Sequence, residues 1–126
     1  MPIQYEIDKG RRLLRAVSIG RVDAEAVRDY LRRMESDPDY DPAFDGIIDV
    51  RSASADVSPD DIRDIAELVR RRPREATGRR AVLVSSDEHF GLMRMFEAYA
   101  SGGPTRYRVF RDPDEAKAWL ESGSDT

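Results

Sequence analysis

The run Gly46-Ile47-Ile48-Asp49-Val50-Arg51, together with the segment it leads into, constrains this chain more than any other stretch. It is short, apolar and β-branched, and it passes through Ser52-Ala53-Ser54-Ala55-Asp56-Val57 to Ser58-Pro59-Asp60-Asp61-Ile62. A serine before a proline, with a carboxylate at the third helical position, marks a capped helix start. A buried strand, a polar loop over 52–58 and a capped helix make half of a βαβ unit, which needs a sheet covered by helices. The carboxyl end of such a strand is where open α/β sheets hold ligands or regulatory groups.

The flanking sequence extends the alternation. Ile3, Tyr5 and Ile7 alternate with Gln4, Glu6 and Asp8, and apolar residues 13–19 return after a turn at Lys9-Gly10-Arg11. That pattern predicts an antiparallel hairpin with the first strand at an edge. Asp23 caps a helix with Val27, Tyr30, Leu31 and Met34 on one face, and residues 36–45, with two prolines and four aspartates, read as a loop. Ile62, Ile65, Ala66 and Val69 form the buried face of the next helix, and Ala81-Val82-Leu83-Val84 reads as a strand covered on both faces. A helix over 86–101, a strand over 107–110 and a last helix capped at Asp112-Pro113-Asp114-Glu115 complete the chain, the last with Ala116, Trp119 and Leu120 inward. The predicted order is ββαβαβαβα: one α/β domain over 1–121 with a mixed, mostly parallel five-stranded sheet, and 122–126 as a flexible tail.

Composition narrows the function classes. A net charge of −4 argues against a general nucleic-acid binder. Arg70, Arg71, Arg72, Arg74, Arg79 and Arg80 crowd one connection, but no aromatic interleaves with them, so they read as a solvated helix end. The absence of cysteine removes disulfides, thiolate metal sites and cysteine nucleophiles. With no leader pattern and no long apolar run, the sequence reads as a cytoplasmic protein without a membrane span.

No set of residues announces catalysis. Ser85, Ser86, Asp87 and the sole histidine, His89, are too close in sequence to align as a nucleophilic relay. Asp49 in its apolar strand reads as a structural carboxylate held by Arg51 or a loop amide, and the glycines form no phosphate cradle. The expectation is a non-enzyme without cofactor or metal. The set Phe90, Leu92, Met93, Met95, Phe96 and Tyr99 exceeds what one buried helix face needs. With Phe90, Met93 and Phe96 or Tyr99 on the sheet, Leu92 and Met95 leave an apolar shoulder for a protein partner, a second copy of the chain, or a small apolar ligand or lipid.

The order of elements, the segment Gly46 to Ile62, and the ending Val109-Phe110-Arg111-Asp112-Pro113-Asp114-Glu115-Ala116-Lys117-Ala118-Trp119-Leu120 resemble small bacterial STAS-like proteins related to the sporulation anti-sigma-factor antagonist. Val57-Ser58-Pro59-Asp60-Asp61 and Phe90-Gly91-Leu92-Met93-Arg94-Met95-Phe96 are similar to an uncharacterised branch of that fold, which shares its architecture with CRAL/TRIO lipid-transfer domains. The resemblance implies a non-enzymatic regulatory module that binds a partner through the 52–58 loop and the 90–99 helix, or alternatively a small-molecule or lipid-binding domain. In the antagonists that loop carries an Asp-Ser-Ser-Gly-Leu type motif whose serine is phosphorylated. This chain lacks it, and its loop candidates are Asp49, Ser52, Ser54, Asp56 and Ser58. A phosphate on Ser58 would face Asp60 and Asp61, so Ser58 reads as a cap and Ser54 as the better acceptor.

Overall fold

A computed structural model describes residues 2–122. They form β1 (Ile3–Asp8), β2 (Leu13–Asp23), α1 (Ala24–Glu35), β3 (Asp45–Asp56), α2 (Pro59–Arg70), β4 (Arg79–Leu83), α3 (Asp87–Ala100), β5 (Arg106–Phe110) and α4 (Pro113–Ser122), in the expected order. The strands lie in the sheet as they lie in the chain, β1-β2-β3-β4-β5, with β1 antiparallel to β2 and the other ladders parallel.

That order dictates the layers. Right-handed crossovers between successive neighbours all fall on one side of a sheet. So α1, α2 and α3 share one face, where Leu14, Ala16, Tyr30, Leu31, Met34, Ile62, Ile65, Ala66, Val69 and Phe96 pack together. On the opposite face Ala116, Trp119 and Leu120 of α4 cover Ala81, Leu83 and Phe110. β4 is thus buried on both sides, as its unbroken apolar run requires, while the outer face of β1–β3 is left uncovered.

The strands around the organising segment are longer than the sequence suggests. Residues 52–56, expected as a loop, are strand: Ile19 to Asp23 pair in parallel with Ser52 to Asp56. Serine and alanine alternate there with a strand's period, but their small side chains carry no hydrophobic signal, and the ladder satisfies their backbone groups. Only Val57 and Ser58 remain as connection. A bulge places Asp49 opposite Val17 but Ser52 opposite Ile19, so β3 carries one extra residue. The extra residue reverses its parity: Ile48 and Val50, then Ala53 and Ala55, line the helix-covered side. Because β4 pairs only as far as Asp49, the far halves of β2 and β3 project as a two-stranded ribbon.

Two further expectations need correction. Ser122 is the last residue of α4 rather than the start of a tail, and its Oγ donates to the Trp119 carbonyl at 2.7 Å; residues 123–126 lie outside the described residues. The arginine cluster is solvated only in part. Arg70 and Arg71 pair with Glu67 on the surface, but Arg79 lies over the Trp119 ring and donates to the Trp119 carbonyl at 2.9 Å, which ties β4 to the carboxyl end of α4. Arg72 is buried, donating to Thr105 Oγ1 at 3.2 Å and to the Tyr40 hydroxyl, with its Nε 3.4 Å from a Glu35 carboxylate oxygen but out of hydrogen-bond alignment. Arg80 is 1% exposed. Arginine stems are apolar enough to pack in a core when carbonyls and hydroxyls receive the head, a property no hydropathy pattern reads. Among the described residues no helix is long and apolar enough to cross a membrane.

Candidate functional site

The helix-covered face holds a cavity of about 140 Å³, almost wholly apolar, between the sheet and α1, α2 and α3. Its floor is buried: Ile3, Ser18, Tyr30, Ile65, Val82 and Phe96. Its half-exposed lining residues, Val27, Ala53, Val57, His89 and Leu92, mark the mouth at the carboxyl ends of β2 and β3, beside the amino termini of α2 and α3. The space exists because short side chains meet there. Ala53 and the more exposed Ala55 line it from the ribbon with side chains too short to fill it, and Val22, Val27 and Val57 line it beside them.

The two stretches singled out from sequence therefore meet at one mouth. From 52–58 it receives Ala53, Ala55 and Val57, not the serines, which point away and are exposed. From 90–99 it receives Leu92, Met93 and Phe96. Phe96 packs edge-on against Tyr107 at 4.9 Å between centroids, and Phe90 lies under the Arg111 guanidinium. Met95 is half-buried in the main core, whereas Tyr99 is 39% exposed, with the Arg63 guanidinium over its ring. Behind the cavity, burial raises the pKa of the Tyr30 and Tyr107 phenols above the ordinary value, and the Arg80 and Arg72 guanidiniums offset part of that rise.

Ser58 is a cap in full. Its Oγ accepts the Asp61 amide at 3.0 Å, and the Asp61 carboxylate accepts the Ser58 amide at 3.0 Å. Ser58→Ala is expected to cost about 0.5–2 kcal/mol and Ser58→Gly only a few tenths through the cap, read by urea unfolding. A Ser58→Ala protein as stable as the parent would show that the hydroxyl has another role. Asp56 pairs with Arg21, and Ser52 and Ser54 are exposed on the ribbon.

Asp49 stands on the other face of the sheet. Its carboxylate takes the Arg51 amide at 3.0 Å and the Arg51 guanidinium at 3.0 and 2.8 Å, and these guanidinium bonds hold its pKa below the ordinary carboxylate value. Both residues line a broad groove of about 1100 Å³ over the uncovered β1–β3 face, walled by α4 and lined by charges of both signs, among them Glu6, Arg15 and Lys117. Ser86 caps α3, accepting the His89 amide at 3.1 Å, while Asp87 is bound by Arg111 at 2.7 Å. Among the described residues the His89 ring makes no hydrogen bond, so the three do not align as a relay, and no three histidine or carboxylate side chains converge as a metal cage.

The sequence reading missed the cavity itself and the part of Val22, Ala53 and Ala55 in it. The available signal was the alternation of serine with alanine through 52–55, a strand period with an inward face too small to fill the space under two helices.

No family model matches the chain, and no curated protein matches it in sequence. In structure it is similar to an uncharacterized protein of the DUF3478 family with a SpoIIAA-like fold from Shewanella loihica PV-4, with a TM-score of 0.63 over 94% of this chain and 93% of that one, at 18% identity. The chain therefore has the SpoIIAA-like, that is STAS-like, α/β fold.

Proposed function

We propose that this protein is a non-enzymatic interaction module whose protein partner seats an apolar side chain in the cavity at the carboxyl end of the sheet. The observation that carries this reading is the mouth, where Ala53, Ala55 and Val57 of one candidate segment meet Leu92 and Met93 of the other. Interface energy concentrates in a few anchors that fill desolvated pockets. At about 140 Å³ the cavity suits one such anchor; apolar cavities near 150 Å³ hold roughly a benzene. Small-molecule sites usually span about 300–1,000 Å³, which weighs against a CRAL/TRIO-type lipid.

Filling the cavity and charging its mouth test the reading separately. Ala53→Leu places a branched side chain in the empty space and is expected to leave the Tm at or above the parent's, while Leu92→Asp makes the rim hostile to an apolar anchor. Affinity capture from the native host should lose the same partner with both variants. A partner retained by folded Ala53→Leu protein would rule out the socket.

A further inference from the structure

β4 stops short of the strand it accompanies. It pairs with β3 from Gly46 to Asp49, and the connection to α3 follows β3 only as far as Arg51, whose carbonyl accepts from Ser85 Oγ at 3.2 Å. Residues 52–56 continue the ladder with β2 on one side and have no strand on the other. Successive strand residues turn their backbone groups to alternate sides, so part of this segment's N–H and C=O groups face the empty side. Among the described residues no side chain or loop bonds to them.

An open row of this kind is a template for another strand, and proteins blunt it where it is unwanted. The outer strands here are blunted. The Arg33 guanidinium donates to the Ile3 carbonyl of β1 at 2.9 Å, and a Glu97 carboxylate oxygen accepts the Val109 amide of β5 at 3.1 Å. The far half of β2, the other side of the ribbon, leaves regular extension at Gly20, whose φ is +75°. Residues 52–56 have none of these devices: no proline or lysine stands among them, none has a positive φ, and their one charge, Asp56, is paired with Arg21 of β2. Their open side is the side of β4 and the start of α3, and Ala53 and Ala55 line the cavity together with His89 and Leu92 of α3.

A strand laid along this edge places alternate side chains on the helix-covered side, next to Ala53 and Ala55 and over the cavity. A second copy of the chain pairing through the same edge would bring only serine, alanine and aspartate side chains there, none of them an apolar anchor for about 140 Å³. Resting on the socket reading above, we infer that the partner docks as an extended segment that adds a short strand to the open edge of β3 at 52–56 and turns one leucine, isoleucine, methionine or phenylalanine side chain into the cavity. Backbone bonds supply affinity and register, and the cavity selects one side chain. At about 3.3 Å per residue the open edge runs roughly 15 Å, room for a segment of about five residues.

A displayed random-peptide library selected on the whole immobilised protein supplies the probe. A synthetic copy of an enriched peptide should bind at least about tenfold more weakly to Ala53→Leu protein, with a thermal melt confirming that the variant folds. N-methylation of the peptide backbone, one residue at a time, should cost at least about tenfold at alternate positions and less than about threefold between them, because only every second amide of an added strand faces β3. Hydrogen exchange should find the open-side amides of 52–56 unprotected in the free protein and slowed at least about tenfold in the complex. A peptide lost on Ala53→Leu protein whose methylation shows no alternation, or which leaves 52–56 unprotected, would overturn strand addition and leave the socket standing. A peptide indifferent to Ala53→Leu, or no enrichment at all, would overturn both. Sedimentation showing a dimer of the free protein that the peptide dissociates would assign the edge to a second copy of the chain and overturn the inference of a foreign segment.

Discussion

Replacing Arg80 by alanine is expected to destabilise the protein by about 3–5 kcal/mol, the range for deleting a large side chain from a core and stranding its hydrogen-bond partners. Arg80 is 1% exposed, and its guanidinium donates to the Phe44 carbonyl at 2.7 Å and to the Tyr40 hydroxyl at 3.2 Å. Its neighbour across the β3–β4 ladder is Gly46, where a Cβ would lie 2.8 Å from the Arg80 Cδ, so the glycine makes the room that the stem fills. Among the described residues no carboxylate pairs with this cation. Burying an unpaired charge is costly by several kcal/mol, and Arg80→Met discards that cost while keeping most of the volume. Urea unfolding should therefore place Arg80→Met within about 2 kcal/mol of the parent and Arg80→Ala well below both. Equal losses in the two variants would mean that the hydrogen bonds to the 40–44 loop outweigh packing and charge together.

Gly78→Ala should be comparably severe for a different reason. A Cβ there would stand 1.8 Å from the Phe44 carbonyl oxygen and 2.6 Å from its carbon, and both are backbone atoms that cannot rotate aside. The 42–44 segment would have to move away, breaking the bond from the Gly78 amide to the Pro42 carbonyl and pulling the Phe44 carbonyl from Arg80. Overpacking usually costs about 1–3 kcal/mol, and the two disrupted bonds add to it, which for a chain of this size lowers the Tm by on the order of 10 °C. Gly91→Ala is the control. It lies within α3 with nothing near its would-be Cβ, so it should stabilise by roughly 0.5–1 kcal/mol. A Gly78→Ala melt no lower than the parent's would refute this account of the turn. The Gly78 and Arg80 effects share Phe44, so the double variant should lose less than the sum of its parts.

These positions show where sequence reasoning reaches and where it stops. The order of elements, the Asp23 and Ser58 caps and the buried face Ile62, Ile65, Ala66 and Val69 were legible, because each is written locally in period or in cap chemistry. The length of β2 and β3 was not legible, because a strand of serine and alanine looks like a loop until its partner strand is known. Burial of Arg72 and Arg80 was hidden for a similar reason: their partners, Tyr40 and Phe44, come from a segment that reads only as a loop. Tyr99 was expected inward as an alternative to Phe96; Phe96 is the buried one, and Tyr99 is 39% exposed. The cavity was the least visible feature, since it is made by what several small residues fail to fill.

The strands occupy the sheet in the order in which they leave the ribosome. Each therefore finds its partner already made: β2 folds back on β1, β3 joins β2, and each crossover helix closes over the strand pair before it, so no pairing waits for a distant segment. The exception is the outer face. Ala81, Leu83 and Phe110 gain their helical cover from Ala116, Trp119 and Leu120 of α4, the last of these elements to emerge, and until it does the nascent domain carries that apolar strip bare.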